Sequence, residues 1–304
     1  MTDRFIAPTT IEDALAILAR DKAARPVAGG TDLVVASRQG RKPLPESIVA
    51  IHRIAELGQH AVNDGSLVVG ALTSHAWLAG SAEVRRHWTA LADAAAIVGS
   101  PATRATGTIG GNLMNASPAA ETTAPLVVLG ANVMLRAIGR GSRIVPVANL
   151  AVGPGRTSAA ADELLTTVIV PLPPAASGSA YIRLEYRRAM EIAIVGAAVL
   201  VTLAADSSIA SARIALTAVG PTIVRAPDAE AVLAGGAADP ATFRAAGAAA
   251  AATARPIDDV RASADYRGAM LAVVVTRTIA AAVARARGDA IPIPASRWAH
   301  GQEA

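Results

Sequence analysis

The pattern of apolar and polar positions at the N-terminal end predicts a small lobe of strands and one helix. Apolar residues recur with helical spacing over residues 14–18, after Thr10 and two acidic residues, which is typical of a capped helix start. This helix is expected to end near Asp21. Short apolar runs at 25–28 and 48–51 are typical of strands. Together these elements predict a βαβ-like lobe.

The next part of the chain has a different pattern, in which strands and short helices are mixed. Asn63-Asp64-Gly65 separates two β-type runs and predicts a tight hairpin turn. The remaining runs predict strands at 67–70, 131–135 and 166–170 and helices at 73–78, 84–98 and 122–129. Three prolines among small residues at 171–178 predict a linker, and we place the main domain boundary there.

Beyond this linker the pattern predicts an antiparallel sheet followed by helices. Residues 179–186 alternate, and apolar runs at 192–203 and 209–219 flank a polar turn. Alanine-rich residues 227–252 predict two helices, and residues 265–287 predict a final amphipathic helix. No uninterrupted run reaches the ~18 to 20 apolar residues of a membrane span, and no signal-peptide pattern opens the chain. A cytoplasmic chain without a membrane span is therefore expected.

Composition narrows the possible functions. The chain has no cysteine, which excludes thiolate catalysis, disulfides and a cysteine-held iron–sulfur cluster on this chain. The net charge is +4, but the arginines are scattered and aromatic residues make up only 3%, so nucleic-acid binding is not favoured. The five histidines lack metal-ligand spacing. His75 and His87 lie on predicted helices, and a surface or packing role is favoured for them over a catalytic or flavin-linking one.

Two glycine-rich segments carry the candidate chemistry. Residues 106–121 read TGTIGGNLMNASPAAE, and residues 26–33 read PVAGGTDL. Glycines at Gly107, Gly110 and Gly111 are expected to adopt positive φ and to let backbone amides approach a ligand closely. Either segment alone could be a polar turn, but two of them suggest a diphosphate held from two sides. Neither contains a GxGxxG that opens a helix or a GxxxxGK[ST] motif, so Rossmann and P-loop binding are disfavoured.

Three motifs in a characteristic order carry a resemblance to a known family. They are AGGTDL at 28–33, TIGGN with NASPA within 108–119, and RRAMEIAIVGAAV at 187–199. With these motifs the chain resembles the FAD-binding medium subunit of the molybdenum hydroxylases, the xanthine dehydrogenase and carbon monoxide dehydrogenase family. The resemblance extends over nearly the whole chain.

The resemblance implies an α+β fold. It implies a PCMH-type FAD-binding domain over residues 1–176, with lobes at about 1–58 and 59–176, a smaller C-terminal α+β domain with an antiparallel sheet over 177–290, and a tail over 291–304. The boundaries drawn from the residue pattern agree with this division.

The resemblance also implies which residues contact FAD. Glu121 would contact the adenosine half, and Ile192 would pack against the flavin ring. Members of the family more often carry Asp at the position of Glu121 and before the position of Ile192, where this chain has Glu191. Residues in the two glycine segments would bind FAD, those at 28–32 and 108–112 by embracing its diphosphate, and three further residues would contact the flavin. The former are Ala28, Gly29, Gly30, Thr31, Asp32, Leu33, Thr108, Ile109, Gly110, Gly111, Asn112 and Ser117; the latter are Val98, Leu165 and Arg183.

The implied function is that of an oxidoreductase subunit that carries electrons. A large molybdenum subunit with a molybdopterin-type cofactor would hydroxylate the substrate, and a small subunit with [2Fe-2S] clusters would pass the electrons to this FAD, which delivers them to an external acceptor. A dimer of heterotrimers is expected. No catalytic or metal-ligating residue is expected on this chain. A self-sufficient PCMH-type flavin oxidoreductase and a non-redox nucleotide-binding module are the alternatives.

Overall fold

A three-stranded parallel sheet with two helices forms the N-terminal lobe. In the computed structural model, which describes residues 5–187 and 189–299, the lobe contains β1 (Phe5–Ile6), α1 (Ile11–Arg20), β2 (Ala24–Val27), α2 (Thr31–Arg38) and β3 (Ser47–Ala50). The strand order is β1-β3-β2. Helix α1 begins where the pattern predicts, because the Thr10 hydroxyl accepts a hydrogen bond from the Asp13 amide at 3.1 Å. Arg188 and residues 300–304 of the expected tail lie outside the described residues.

The second lobe is a five-stranded antiparallel sheet covered by short helices. Its sheet has the order β4-β5-β10-β6-β7. Asp64 and Gly65, with φ of 47° and 71°, form the predicted turn between the first two of these strands. The elements are β4 (His60–Asn63), β5 (Ser66–Gly70), α3 (His75–Gly80), α4 (Ala82–His87), α5 (Thr89–Ile97), α6 (Pro101–Thr106), α7 (Ile109–Asn115), α8 (Thr123–Val128), β6 (Asn132–Ala137), β7 (Gly141–Pro146), β8 (Ala151–Gly153), β9 (Arg156–Thr157) and β10 (Leu164–Pro171).

The helical prediction over residues 84–98 is confirmed for residues 84–87 and 89–97, but these form two helices, because the chain breaks at Trp88. Trp88 is fully buried and has non-helical backbone angles, with φ −118° and ψ 52°. Its indole N–H donates to the Pro171 carbonyl oxygen at 2.8 Å. Anchoring this large side chain at the end of β10 separates α4 from α5.

The C-terminal part contains a four-stranded antiparallel sheet in the order β11-β12-β13-β14, as the residue pattern predicts. Its elements are β11 (Ser177–Leu184), β12 (Val195–Leu203), β13 (Ile209–Thr217), β14 (Val224–Arg225), α9 (Pro227–Leu233), α10 (Pro240–Thr253), α11 (Ala264–Ala286) and α12 (Ser296–Ala299). Helix α11 packs on β11 and β12, and α10 packs on α11.

Both faces of this sheet are buried, which explains the nearly continuous apolar sequence of β12. Ala198 and Leu200 join the core of the second lobe, where α5 and α8 meet the sheet. Ala197 and Val199 point to the other face and join the core built around α11. The C-terminal sheet is therefore held firmly against the second lobe.

Helix α11 is long and apolar enough to cross a membrane by length and mean hydropathy alone. The expectation that no segment approaches a membrane span overlooked it, because polar residues interrupt its apolar run. Leu271, Val275 and Ile279 on this helix are fully buried inside the protein. Its packing against the sheet and α10 accounts for its apolar composition, as in the core helix of a soluble domain.

Candidate functional site

The segment that contains Gly110 and Gly111 is a helix start and not an open loop. The Thr108 hydroxyl caps α7 by accepting a hydrogen bond from the Gly111 amide at 3.1 Å. The amides of Ile109 and Gly110 donate to the carbonyls of Thr73 and Ala71, at 3.0 and 2.9 Å. The expected positive φ at Gly107, Gly110 and Gly111 is wrong. The cap and these two carbonyls fix helical geometry at Gly110 and Gly111, and Gly107 has extended backbone with φ −67° and ψ 141°.

The N-terminus of α2 differs, because its amides are left open. Gly30 precedes the helix with φ 66°, and no side chain caps it. The first amides of a helix have no intrahelical acceptor, and they carry the positive end of the helix dipole. An anion such as a phosphate group fits such a terminus. Of the two glycine segments, 28–33 thus offers the free backbone donors.

The structure brings the two segments into direct contact. A Cβ on Gly29 would lie 2.0 Å from the Thr106 carbonyl oxygen, so only glycine allows this approach. Asn115 on α7 donates to the Asp32 carboxylate on α2 at 3.2 Å. A Cβ on Gly111 would lie 3.8 Å from the Cβ of Ala28. The bare backbone of one segment therefore faces the open helix end of the other.

Gly110 has a different role from its neighbour. A Cβ there would lie 2.7 Å from both the Cβ and the carbonyl oxygen of Ala71, which follows β5. Gly110 therefore lets α7 pack closely against the second lobe. Because Ala71 already occupies the place where a Gly110 side chain would lie, this position offers no space for a ligand.

A buried ion-pair cluster lies behind the site. The Arg183 guanidinium on β11 is paired with the Glu121 carboxylate and also donates from Nε to Glu185 at 2.6 Å. Burial raises the pKa of Glu121, and the charge of Arg183 opposes that rise. Glu121 thus ties the chain that follows α7 to the C-terminal sheet. One of its oxygens is already engaged by Arg183.

The connection between β11 and β12 brings Ile192 close to the second lobe. Ile192 is 43% exposed, so its apolar side chain is available to a ligand. The amide of nearby Met190 donates to the Gly99 carbonyl at 3.3 Å, which places this connection beside Val98. Glu191 accepts a hydrogen bond from Arg187 at 2.9 Å.

Several other candidate residues are occupied or buried. Leu165 and Ile109 lie in the core of the second lobe, so their side chains do not line a cleft. Asn112 accepts a hydrogen bond from the Thr122 hydroxyl at 2.6 Å, and Ser117 accepts one from the Ala119 amide at 3.2 Å. Leu33 is half-buried at the start of α2. The side chains of these residues are used for packing or for hydrogen bonds within the protein, so they present few polar atoms to a ligand.

The sequence analysis did not connect Thr73 or His75 with the two glycine segments that they lie beneath. Thr73 and His75 are buried, and Thr73 Oγ1 and His75 Nδ1 have no hydrogen-bond partner among the described residues. The only signal in the sequence was the polar run Thr73-Ser74-His75, separated from the end of β5 by two residues. Within residues 5–187 and 189–299, no group of three or more His, Asp or Glu residues could hold a metal ion.

Comparison with known proteins identifies the family. Residues 1–173 match the family described as the FAD binding domain in molybdopterin dehydrogenase, and residues 180–282 match the CO dehydrogenase flavoprotein C-terminal domain. The chain belongs to the FAD-binding medium-subunit family of the molybdenum hydroxylases. The medium chain of carbon monoxide dehydrogenase from Afipia carboxidovorans is 34% identical, over 92% of this chain and 96% of that protein.

Other members of the family are equally similar. The alpha subunit of the 6-hydroxypseudooxynicotine dehydrogenase complex from Paenarthrobacter nicotinovorans is 34% identical, over 93% of this chain and 95% of that subunit. A solved chain of carbon monoxide dehydrogenase from Hydrogenophaga pseudoflava superposes with a TM-score of 0.88 at 32% identity, covering 93% of this chain and 97% of that chain. The relatives are dehydrogenase subunits, and the shared fold is α+β.

Proposed function

We propose that this chain is the FAD-carrying electron-transfer subunit of a three-subunit molybdenum hydroxylase. FAD, when bound, supplies hydride and one-electron chemistry itself, so the protein has to hold and orient it. A small subunit with [2Fe-2S] clusters would deliver electrons, and a large subunit with the molybdopterin-type cofactor would oxidise the substrate. The FAD would pass the electrons to an external acceptor.

The observation that carries this proposal is the contact between the two glycine segments at the open N-terminus of α2. That terminus offers unpaired amides and a positive dipole end to a diphosphate. Gly111 in the opposite wall has no side chain, and a Cβ there would lie 3.8 Å from the Cβ of Ala28. The residues present therefore fit a dinucleotide cofactor.

Each predicted residue takes a role in this proposal. Residues 28–32 and the start of α7 would enclose the diphosphate, and the region of Glu121 and Asp32 would receive the adenosine half. Ile192 would cover the flavin ring and exclude water from it. Arg183 would act through Glu121, which it holds in place. Val98 would contribute through its backbone beside Ile192, and Leu165 through the core beneath.

The assembly and its location extend the proposal. We infer a dimer of heterotrimers in the cytoplasm and an electron acceptor that binds near the exposed flavin edge. The names of the relatives point to different substrates, among them carbon monoxide, xanthine and nicotine derivatives. We assign no substrate to this chain, because substrate oxidation belongs to the large subunit.

Purification under native conditions tests the proposal. The expected preparation is yellow and contains flavin, iron, molybdenum and two further polypeptides. Flavin on a solitary chain that oxidises a substrate by itself would instead indicate a self-sufficient flavin oxidoreductase. A colourless chain that takes up adenine nucleotides but no added FAD would indicate a nucleotide-binding module without redox activity.

A further inference from the structure

A buried polar group that the family motifs do not include lies directly beneath the glycine segments. The stretch Thr73 to His75 pairs with residues 107–109 through an antiparallel bridge between Ser74 and Thr108. The His75 amide donates to the Gly107 carbonyl at 3.1 Å, and the Thr73 carbonyl accepts from the Ile109 amide. His75 is also the first residue of α3, whose N-cap is Ser74.

The His75 ring lies against the contact between the two segments. A Cβ on Gly107 would lie 3.3 Å from His75 Cδ2 and 3.6 Å from the Thr31 hydroxyl. Thr31 is the first residue of α2, and its hydroxyl makes no hydrogen bond within the described residues. The Cδ2 edge of the imidazole and the Thr31 hydroxyl thus both lie beside Gly107, close to the start of α2.

One buried ring nitrogen of His75 lacks a hydrogen-bond partner. The residue is 2% exposed, and its Nδ1 has no hydrogen-bond partner among the described residues. An unpartnered buried polar atom typically costs about 1 to 3 kcal/mol, so proteins seldom keep one without a reason. Burial, with a smaller contribution from Arg104, lowers the pKa of His75 to about 4, so the ring is neutral near pH 7. A neutral imidazole carries one N–H donor and one acceptor.

We propose that His75 is a further cofactor-binding residue, whose ring N–H donates a hydrogen bond to the diphosphate of FAD, directly or through one bound water. Thr31 and the amides of α2 contact the same group from the other side. This inference rests on the proposed function, because it takes FAD as the ligand. A role in FAD binding explains why this buried position holds a histidine. An apolar side chain could fill the same position and would leave no polar atom without a hydrogen-bond partner.

Three variants of the full-length chain separate this role from simple packing. His75→Leu keeps an apolar side chain of moderate size without a donor, His75→Gln keeps a donor near the position of Nε2, and His75→Asn keeps one near that of Nδ1. His52→Leu, at an exposed histidine, is the matched control. FAD is removed and added back, and its dissociation constant is measured by quenching of flavin fluorescence.

We expect His75→Leu to weaken FAD binding about 10- to 100-fold, the range for loss of one hydrogen bond to a charged group. Either Gln or Asn should recover a substantial part of the affinity, and the one that does identifies the donating nitrogen. The urea midpoint of the FAD-free Leu variant should be equal to or higher than that of the natural chain, because the variant removes an unpartnered polar atom. Phosphorus NMR of bound FAD should show a shift of the diphosphate signals in His75→Gln.

Two results would overturn the inference while leaving the proposed function intact. One is a His75→Leu variant that binds FAD as tightly as the natural chain. The other is an equal loss of affinity in the Leu, Gln and Asn variants, which would mean that shape matters and the donor does not. Failure of the natural chain itself to bind FAD would overturn the proposed function and this inference together.

Discussion

Arg183 on the C-terminal sheet is paired with Glu121, which follows α7 in the second lobe, and both residues are almost fully buried. The pair joins two parts of the chain that are far apart in sequence. It also fixes the position of a carboxylate at the edge of the proposed cofactor site. The same contact therefore serves both packing and the site.

Removal of the Glu121 carboxylate should affect the fold as well as FAD binding. Glu121→Ala leaves the buried Arg183 with Glu185 alone, and we expect the free energy of unfolding to fall by about 2 to 4 kcal/mol. Glu121→Gln keeps an acceptor and should cost less. Urea unfolding of the FAD-free Ala and Gln variants measures their stability costs, and titration with FAD measures the loss of binding, with exposed Glu46→Ala as the control. An unchanged unfolding free energy in Glu121→Ala would show that the pair does not stabilise the chain.

A second buried pair, Asp93 with Arg285, should couple the second lobe to α11. Asp93 is fully buried and accepts from both Nη atoms of Arg285, at 2.6 and 2.9 Å, and from the amides of Tyr181 and Ala295. We expect Arg285→Met to cost about 3 to 5 kcal/mol, because it strands a buried charge.

The matching double variant tests whether that cost belongs to the pair. Combined with Asp93→Asn, Arg285→Met should cost less than the sum of the two single variants by about 1 to 3 kcal/mol. Urea unfolding followed by tryptophan fluorescence gives all four free energies. Additive single-variant costs would contradict a direct coupling between the two residues.

The two adjacent glycines of α7 should respond in opposite ways to substitution. Gly110→Ala forces a methyl group against Ala71 and should destabilise the fold by about 1 to 3 kcal/mol. The added methyl group of Gly111→Ala lies 3.0 Å from the Thr108 hydroxyl and 3.8 Å from the Ala28 Cβ and meets no backbone atom there, so the fold should tolerate it. The methyl group narrows the space between Gly111 and Ala28 and should weaken FAD binding at least about tenfold.

Unfolding and FAD titration of both glycine variants check this difference. Gly80→Ala is the control, since a Cβ there meets nothing within 4 Å. Full FAD affinity in Gly111→Ala, and also in the bulkier Gly111→Val, would remove α7 from the cofactor site.

The stability of the FAD-free chain should depend on pH through His75. Its pKa is lowered to about 4 in the folded chain, against an ordinary value of 6.5, so the unfolded chain binds the proton first as the pH falls. The free energy of unfolding is therefore unaffected by this group above pH 6.5. It decreases between pH 6.5 and pH 4, by at most about 3 kcal/mol. Arg104 is the charged group that adds to the shift.

Comparison of two pH profiles isolates this effect. Unfolding free energies of the natural chain and of His75→Leu should diverge as the pH falls through this window, because only the natural chain loses stability through this histidine. Parallel profiles would show that His75 keeps its ordinary pKa.

The sequence was sufficient to predict those helices and turns that are determined by residues close together in the chain. Helix α1 has its hydroxyl cap and apolar spacing within a few residues, and the turn at Asp64-Gly65 needs only those residues to adopt positive φ. Helix α7 was not predictable in this way. Two glycines in a first helical turn lower helix propensity, and the helix depends on carbonyls of Ala71 and Thr73 that are distant in sequence.

The candidate site was also predictable only where its signal is local in the sequence. Glycine motifs identified both segments, because close approach requires glycine wherever it occurs. The pairing of Glu121 with Arg183 and the burial of His75 arise from tertiary contacts, which no local pattern contains. Only the folded chain shows that the open helix end belongs to α2.

The central claim is that the two glycine segments bind the diphosphate of FAD. The most direct test is a calorimetric titration of the FAD-free, full-length chain with FAD and, separately, with FMN. FMN has the flavin ring but lacks the diphosphate and the adenosine half. The account predicts that one FAD binds per chain and that FMN binds at least about a hundredfold more weakly. No saturable binding of FAD, or equal affinity for FMN, would contradict a diphosphate site between the two glycine segments.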